Sequence, residues 1–203
     1  MAKSFFEVFP ALKLENELQD LMGQTLVTRV SSTRNKDFLR IYIESDRLIL
    51  KESVYKVEKE IKKQFFPALT MKIKIYEKFH LSSQYHAENL YEIYGESILL
   101  EVQEYSHLLH SILRNAQISF PEEGRLRMVL EDTVLARASA AELQDILDKI
   151  FNDRCGMQVQ IVTDYREAKT GKYKKEDEQK IAYQVAQITA RVRGNTQEAA
   201  EEQ

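Results

Sequence analysis

Leu39-Arg40-Ile41-Tyr42-Ile43-Glu44 alternates apolar and polar residues, Val54, Val57, Ile61 and Phe65 then recur at helical spacing, and Met71-Lys72-Ile73-Lys74-Ile75-Tyr76 alternates again. A period of two, then of three to four, then of two predicts strand, helix and strand. Ser53 is the expected cap of that helix, and Pro67 lies just past its end. Upstream, Leu26/Thr28/Val30 alternate with Val27/Arg29/Ser31, and the polar run Arg34-Asn35-Lys36-Asp37 predicts a hairpin turn into the quoted strand. Leu14, Leu18, Leu21 and Met22 mark one face of a short preceding helix that Gly23 can terminate.

The same order recurs downstream. A long helix is expected from about Glu88 to Arg114, followed by a hairpin of Ala116/Ile118/Phe120 and Leu126/Met128/Leu130 around Pro121-Glu122-Glu123-Gly124. Ser139-Ala140-Ala141-Glu142 has the form of a capping box, and the helix through Leu143, Ile146 and Ile150 leads to a strand at Met157/Val159/Ile161. The landmarks shift almost uniformly, from Leu39 to Leu126, Ser53 to Ser139 and Met71 to Met157, as expected of a structural duplication. The expected fold is α+β: two small tandem helix-strand-strand-helix-strand units, residues 1–79 and 80–168, each a small mixed sheet with helices on one face. Residues 169–203 read as a basic loop, Lys169 to Lys175, and then a linker helix striped with Ile181, Val185, Ile188 and Val192.

Charged residues make up 30 % of the 203, and no apolar run approaches the roughly 20 residues needed to span a bilayer. The N-terminus lacks the pattern of a signal peptide, and the lone Cys155 excludes an intrachain disulfide, so a cytoplasmic setting with no membrane partner is expected. The net charge of -3 hides an asymmetry: residues 1–80 hold 15 basic against 11 acidic side chains, and residues 81–168 hold 7 against 15. A polyanion should prefer the first unit.

Few residues suggest catalysis. His107 and His110 follow Glu101 and Glu104 at intervals of three, but a di-metal carboxylate site needs a second Glu-x-x-His, which the sequence lacks. Gly-rich phosphate loops and nucleophile elbows are absent, and Glu131-Asp132 reads as a strand end entering a turn. No catalytic, metal or cofactor-binding residue is assigned. The sharper pattern is one of binding: if Leu39, Ile41, Ile43, Ile73 and Ile75 face the helices, then Arg40, Tyr42, Lys72, Lys74 and Tyr76, joined by Arg29, share the other face. Cations there can meet phosphates while tyrosines stack on bases of a single strand. The matching face of the second unit, with Gln117, Ser119, Arg127, Val129 and Glu131, is nearly neutral.

Several strings resemble a known family. Phe5-Phe6-Glu7-Val8-Phe9, Gln84-Tyr85-His86-Ala87-Glu88-Asn89-Leu90, Arg114-Asn115-Ala116-Gln117-Ile118, Leu130-Glu131-Asp132-Thr133-Val134 and Arg154-Cys155-Gly156 with Asp164-Tyr165-Arg166-Glu167 are similar, in order, to the N-terminal region of the PolC-type DNA polymerase III alpha subunit. The resemblance runs from about residue 4 to 190 and implies a non-catalytic segment of a Gram-positive replicative polymerase. That parent would have 3'-5' proofreading exonuclease activity and divalent metal ions held in domains downstream of Gln203. It also implies a K-homology-like second unit, although the Gly-x-x-Gly loop of nucleic-acid-binding members is missing. The leading expectation is a protein-interaction module in the replisome, with the clamp-loader tau subunit as the candidate partner. Single-stranded DNA on the basic face, or a scaffold role against downstream polymerase domains, are the alternatives.

Overall fold

A computed structural model describes residues 2–167. The expected basic loop and linker helix of residues 169–203 lie outside the described residues. The chain runs β1 (Lys3–Ser4), α1 (Phe5–Val8), α2 (Asn16–Gly23), β2 (Leu26–Ser32), β3 (Phe38–Ser45), α3 (Lys51–Phe65) and β4 (Lys72–Phe79), and then α4 (Ala87–Tyr105) and α5 (His107–Arg114). It continues through β5 (Gln117–Glu122), β6 (Arg125–Glu131), α6 (Val134–Asp148), a π-helical segment (Lys149–Arg154) and β7 (Gln160–Arg166).

The fold is α+β with two mixed sheets, as expected. The first has strand order β1-β2-β3-β4 and the second β5-β6-β7. In each, an antiparallel hairpin (β2/β3, β5/β6) is followed by a crossover helix and a parallel third strand (β3/β4, β6/β7). Crossovers of this kind are what let parallel neighbours follow one another in a short chain. The parallel registers, Leu39 opposite Ile73 and Leu126 opposite Ile161, carry the repeat into three dimensions.

Burial follows the alternation. Leu39, Ile41, Ile43, Ile73 and Ile75 pack with Val54, Val57 and Ile61 of α3, while Leu126, Met128, Leu130 and Ile161 pack with Ala140, Leu143 and Leu147 of α6. Each such aliphatic contributes roughly 1.5–3 kcal/mol when fully buried. Leu90, Tyr94, Ile98 and Val102 present one buried stripe of α4 to the same hydrophobic cluster, and Phe79 meets Tyr94 edge to face at 6.2 Å. Both sheets therefore share a core within one compact unit, Met1–Arg166, and the expected boundary at residues 79 and 80 falls inside it, between β4 and α4. No helix among the described residues is long and apolar enough to cross a membrane.

Four local expectations are corrected. The helix expected from Glu88 to Arg114 breaks at Ser106, whose extended backbone (φ -158, ψ 120) ends α4 and whose hydroxyl accepts Leu109 N–H to cap α5. Ser139 is buried in the middle of α6, which begins five residues earlier with Thr133 accepting Ala136 N–H at 3.1 Å. Ser53 lies inside α3. That helix begins at Lys51, and its first N–H donates 3.1 Å to Ser97 Oγ of α4, so the cap comes from 46 residues away in sequence. Gly23 remains in the last turn of α2 without the left-handed backbone of a glycine stop, which occurs instead at Gly124 (φ 72) in the β5–β6 turn and Gly156 (φ 68) after the π-helical segment.

Candidate functional site

The first sheet leaves one face open. Along β3, Arg40, Tyr42 and Glu44 alternate with buried residues, and along β4 Lys72 and Tyr76 do the same. In-phase parallel pairing sets Arg40 opposite Lys74 and Tyr42 opposite Tyr76, so like positions meet across the strands. The two tyrosine rings stack, centroids 5.1 Å apart and planes within 18°. A bulge between Val27 and Arg29 shifts the register of β2, which places Arg29 opposite Tyr42 with its guanidinium 5.5 Å from that ring's centre. Simple alternation would have put Thr28 there. Arg40 lies 4.8 Å over the Phe38 ring.

Lys74 departs from the expected face. It wraps around the free edge of β4, where its ammonium pairs with Glu104 of α4, approaches Glu58 Oε2 at 3.8 Å and lies 4.9 Å from the Tyr55 ring. Arg29, Arg40 and Lys72 have no acidic partner among the described residues. The open face thus brings together five of the six expected residues, three of them uncompensated cations beside two stacked phenols.

On the second sheet the charges are spent on one another. Arg127 pairs with Asp164 at 2.5 Å, Arg166 with Glu131 at 3.5 Å and Arg125 with Glu122 at 2.8 Å. Asp132 is held by Arg137 at 2.6 and 2.8 Å, and Glu131 and Asp132 take part in these ion pairs at the strand end.

A second constellation, not foreseen from sequence, lies in a cleft of about 310 Å³ between α3, β4, α4 and the π-helical segment. Lys51 Nζ donates 2.7 and 2.8 Å to the two oxygens of Glu77 and lies 3.5 Å from Glu101, whose carboxylate accepts a bidentate pair from Arg154 at 2.6 and 2.7 Å. Lys51 and Glu77 are 3 % and 7 % exposed, so each needs the other. Burial works to raise the Glu101 pKa, but the Arg154 fork outweighs it and holds the carboxyl below its ordinary range. Glu58, accepting Ile75 N–H at 2.7 Å on the outer edge of β4, is pushed up to about 7 by burial, against the opposing pull of that N–H and of Lys74. One signal was present in the sequence: Glu77 sits in an inward position of β4, between Ile75 and Phe79, where an apolar residue is the rule.

Among the described residues no group of three or more His, Cys, Asp or Glu is placed to hold a metal ion. Glu101 and Glu104 are engaged by Arg154, Lys51 and Lys74, and the break at Ser106 separates them from His107 and His110. The Cys155 thiol is buried and pushed up to about 12, chiefly by that burial, so little reactive thiolate exists at neutral pH.

The family model of DNA polymerase III polC-type N-terminus I matches residues 4–75. Residues 4–75 are similar to a PolC-type N-terminal domain. No curated protein and no solved structure matches the chain. The PolC-type match spans the strands of the first sheet as far as Ile75, and so includes Arg29, Arg40, Tyr42, Lys72 and Lys74, with Tyr76 immediately after it. The resemblance seen in the later strings, from Gln84 onward, extends beyond the matched PolC-type segment.

Proposed function

We propose that the chain is a non-catalytic N-terminal segment of a replicative DNA polymerase with proofreading exonuclease activity, and that its first sheet binds single-stranded nucleic acid. The observation that carries the reading is the Tyr42–Tyr76 stack set among Arg29, Arg40 and Lys72, none of which is neutralised by a neighbouring carboxylate. A flat aromatic platform accepts any base, since every base has a π-face, and cations at its margins follow the phosphates. Divalent metal ions belong, in this reading, to downstream catalytic domains. The test is fluorescence anisotropy of a labelled oligothymidylate titrated with the 203-residue chain at low salt. Binding should weaken about tenfold or more in the Tyr42→Ala/Tyr76→Ala variant, given roughly 1–3 kcal/mol per stacked base. No binding at low salt, or binding unchanged in the variant, would overturn it.

A second reading is favoured by α4, whose 19 residues include five glutamates and no lysine or arginine. We propose that this helix tethers the polymerase to another replication protein, with the clamp-loader tau subunit as the first candidate. Association with purified tau that persists at physiological salt would support it, and its absence at any salt would count against that partner.

A further inference from the structure

We infer that the groove beside the middle and C-terminal half of α4 docks a lysine- or arginine-rich amphipathic helix of a partner protein. The groove has a volume of about 700 Å³, and its apolar lining comes from Leu50, Ile93, Leu99 and Leu100. Two of these are unusually open for large aliphatics, Leu50 at 45 % and Ile93 at 53 % exposure. Leu50 occupies the N-cap position of α3, where Ser, Thr, Asn or Asp is the norm. The capping duty is met by Ser97 from below, which leaves a leucine in that place as part of an apolar lip.

Charge specifies the occupant. Glu88, Glu92 and Glu96 recur every four residues along α4, all are exposed, and none has an ion-pair partner among the described residues. Glu96 itself lines the groove next to Ile93. Like charges four residues apart on a helix repel one another, and a cationic flank laid against this edge relieves that repulsion. His110 and Arg114 of α5 also line the groove. The occupant is therefore a helix with an apolar stripe for Leu50 and Ile93, lysines or arginines beside Glu92 and Glu96, and a neutral or acidic residue toward Arg114. Docking of this kind is read as apolar anchors at helical spacing with flanking charges setting the orientation.

This inference rests on the tether reading of α4 and is narrower than it. The test uses three synthetic amphipathic peptides of about four helical turns that share one leucine stripe and differ only in polar face: lysine, glutamine or glutamate. Each is titrated calorimetrically into the 203-residue chain at physiological salt. The lysine-faced peptide should bind most tightly, and Ile93→Asp or Glu92→Lys/Glu96→Lys should weaken it about tenfold or more, as loss of an interface anchor does. Unchanged thermal melting of these surface variants shows that they are folded. Equal binding of all three peptides, no binding of any, or indifference to both variants would overturn the proposal. So would a concentration-dependent dimer abolished by Ile93→Asp, which would assign the groove to a second copy. Tau binding that survives Ile93→Asp would remove the groove while leaving the tether in place.

Discussion

The two sheets share a plan and differ in what they do with their open faces. In both, a hairpin, a crossover helix and a parallel strand are held by inward aliphatics, and the outward positions carry the basic residues. On the second sheet Arg125, Arg127 and Arg166 each have a carboxylate within 2.8, 2.5 and 3.5 Å, whereas on the first Arg29, Arg40 and Lys72 have none and the centre is a tyrosine stack. Inward alternation settles topology, and the outward set is free to diverge: one face pairs its cations with carboxylates and the other leaves them unpaired among the described residues.

The largest effect that would break this comparison lies at the seam between the sheets. Lys51→Met leaves Glu77 buried without its cation and should cost about 3–5 kcal/mol in denaturant unfolding of the chain. Arg127→Met on the second open face should cost under about 1 kcal/mol, because its partner is half exposed and the pair is screened. A smaller effect sharpens the contrast in function: Tyr76→Ala should weaken oligothymidylate binding by about 1–3 kcal/mol, while Arg127→Ala should leave it unchanged. Smaller again, Ser97→Ala should destabilise by about 1 kcal/mol, a cap effect measurable as a melting shift although the lost hydroxyl and the uncapped helix start lie in different helices.

The last effect is a pH slope. Glu58 has its carboxyl raised from 4.5 to about 7 in the folded chain, so between those values the folded state holds a proton that the unfolded state has released. Its contribution to stability is therefore most favourable below about 4.5 and is lost as pH rises through about 7. Glu58→Gln keeps an acceptor for Ile75 N–H and removes the titration. Melting temperatures taken from acid to neutral pH should fall less steeply for the variant than for the parent chain. Parallel slopes would show that Glu58 is solvated.

Elements whose determinants are local were legible in the sequence. The alternating runs at Leu39–Glu44 and Leu126–Leu130, the turn at Gly124 and the helical spacing in α3 all carry their reason within a few residues. The helix starts were misplaced because serine is a good cap wherever it falls: Ser53 and Ser139 lie in helix interiors, and the working caps are Ser97, from another helix, and Thr133. The break at Ser106 was hidden because apolar spacing continues across it and only a backbone angle changes. At the candidate site, face membership followed from period two, but the fate of Lys74 did not. Its long stem reaches Glu104, a residue of α4 brought near only by the tertiary fold. Arg29 reached the face through a bulge, which alternation alone does not announce. The buried Lys51–Glu77–Glu101–Arg154 chain needed two halves of the molecule in contact, and only the misplaced polarity of Glu77 hinted at it.

The salt dependence of oligothymidylate affinity tests the central claim most directly, compared between the parent chain, an Arg29→Glu/Arg40→Glu/Lys72→Glu variant and an Arg125→Glu/Arg127→Glu variant. For single strands each neutralised phosphate adds roughly 0.7 to the slope of log affinity against log salt, so three contacting cations account for about 2. The first variant should lose affinity at low salt and flatten the slope by about that amount, and the second should follow the parent. Equal slopes for all three, or a loss confined to the second variant, would contradict the account.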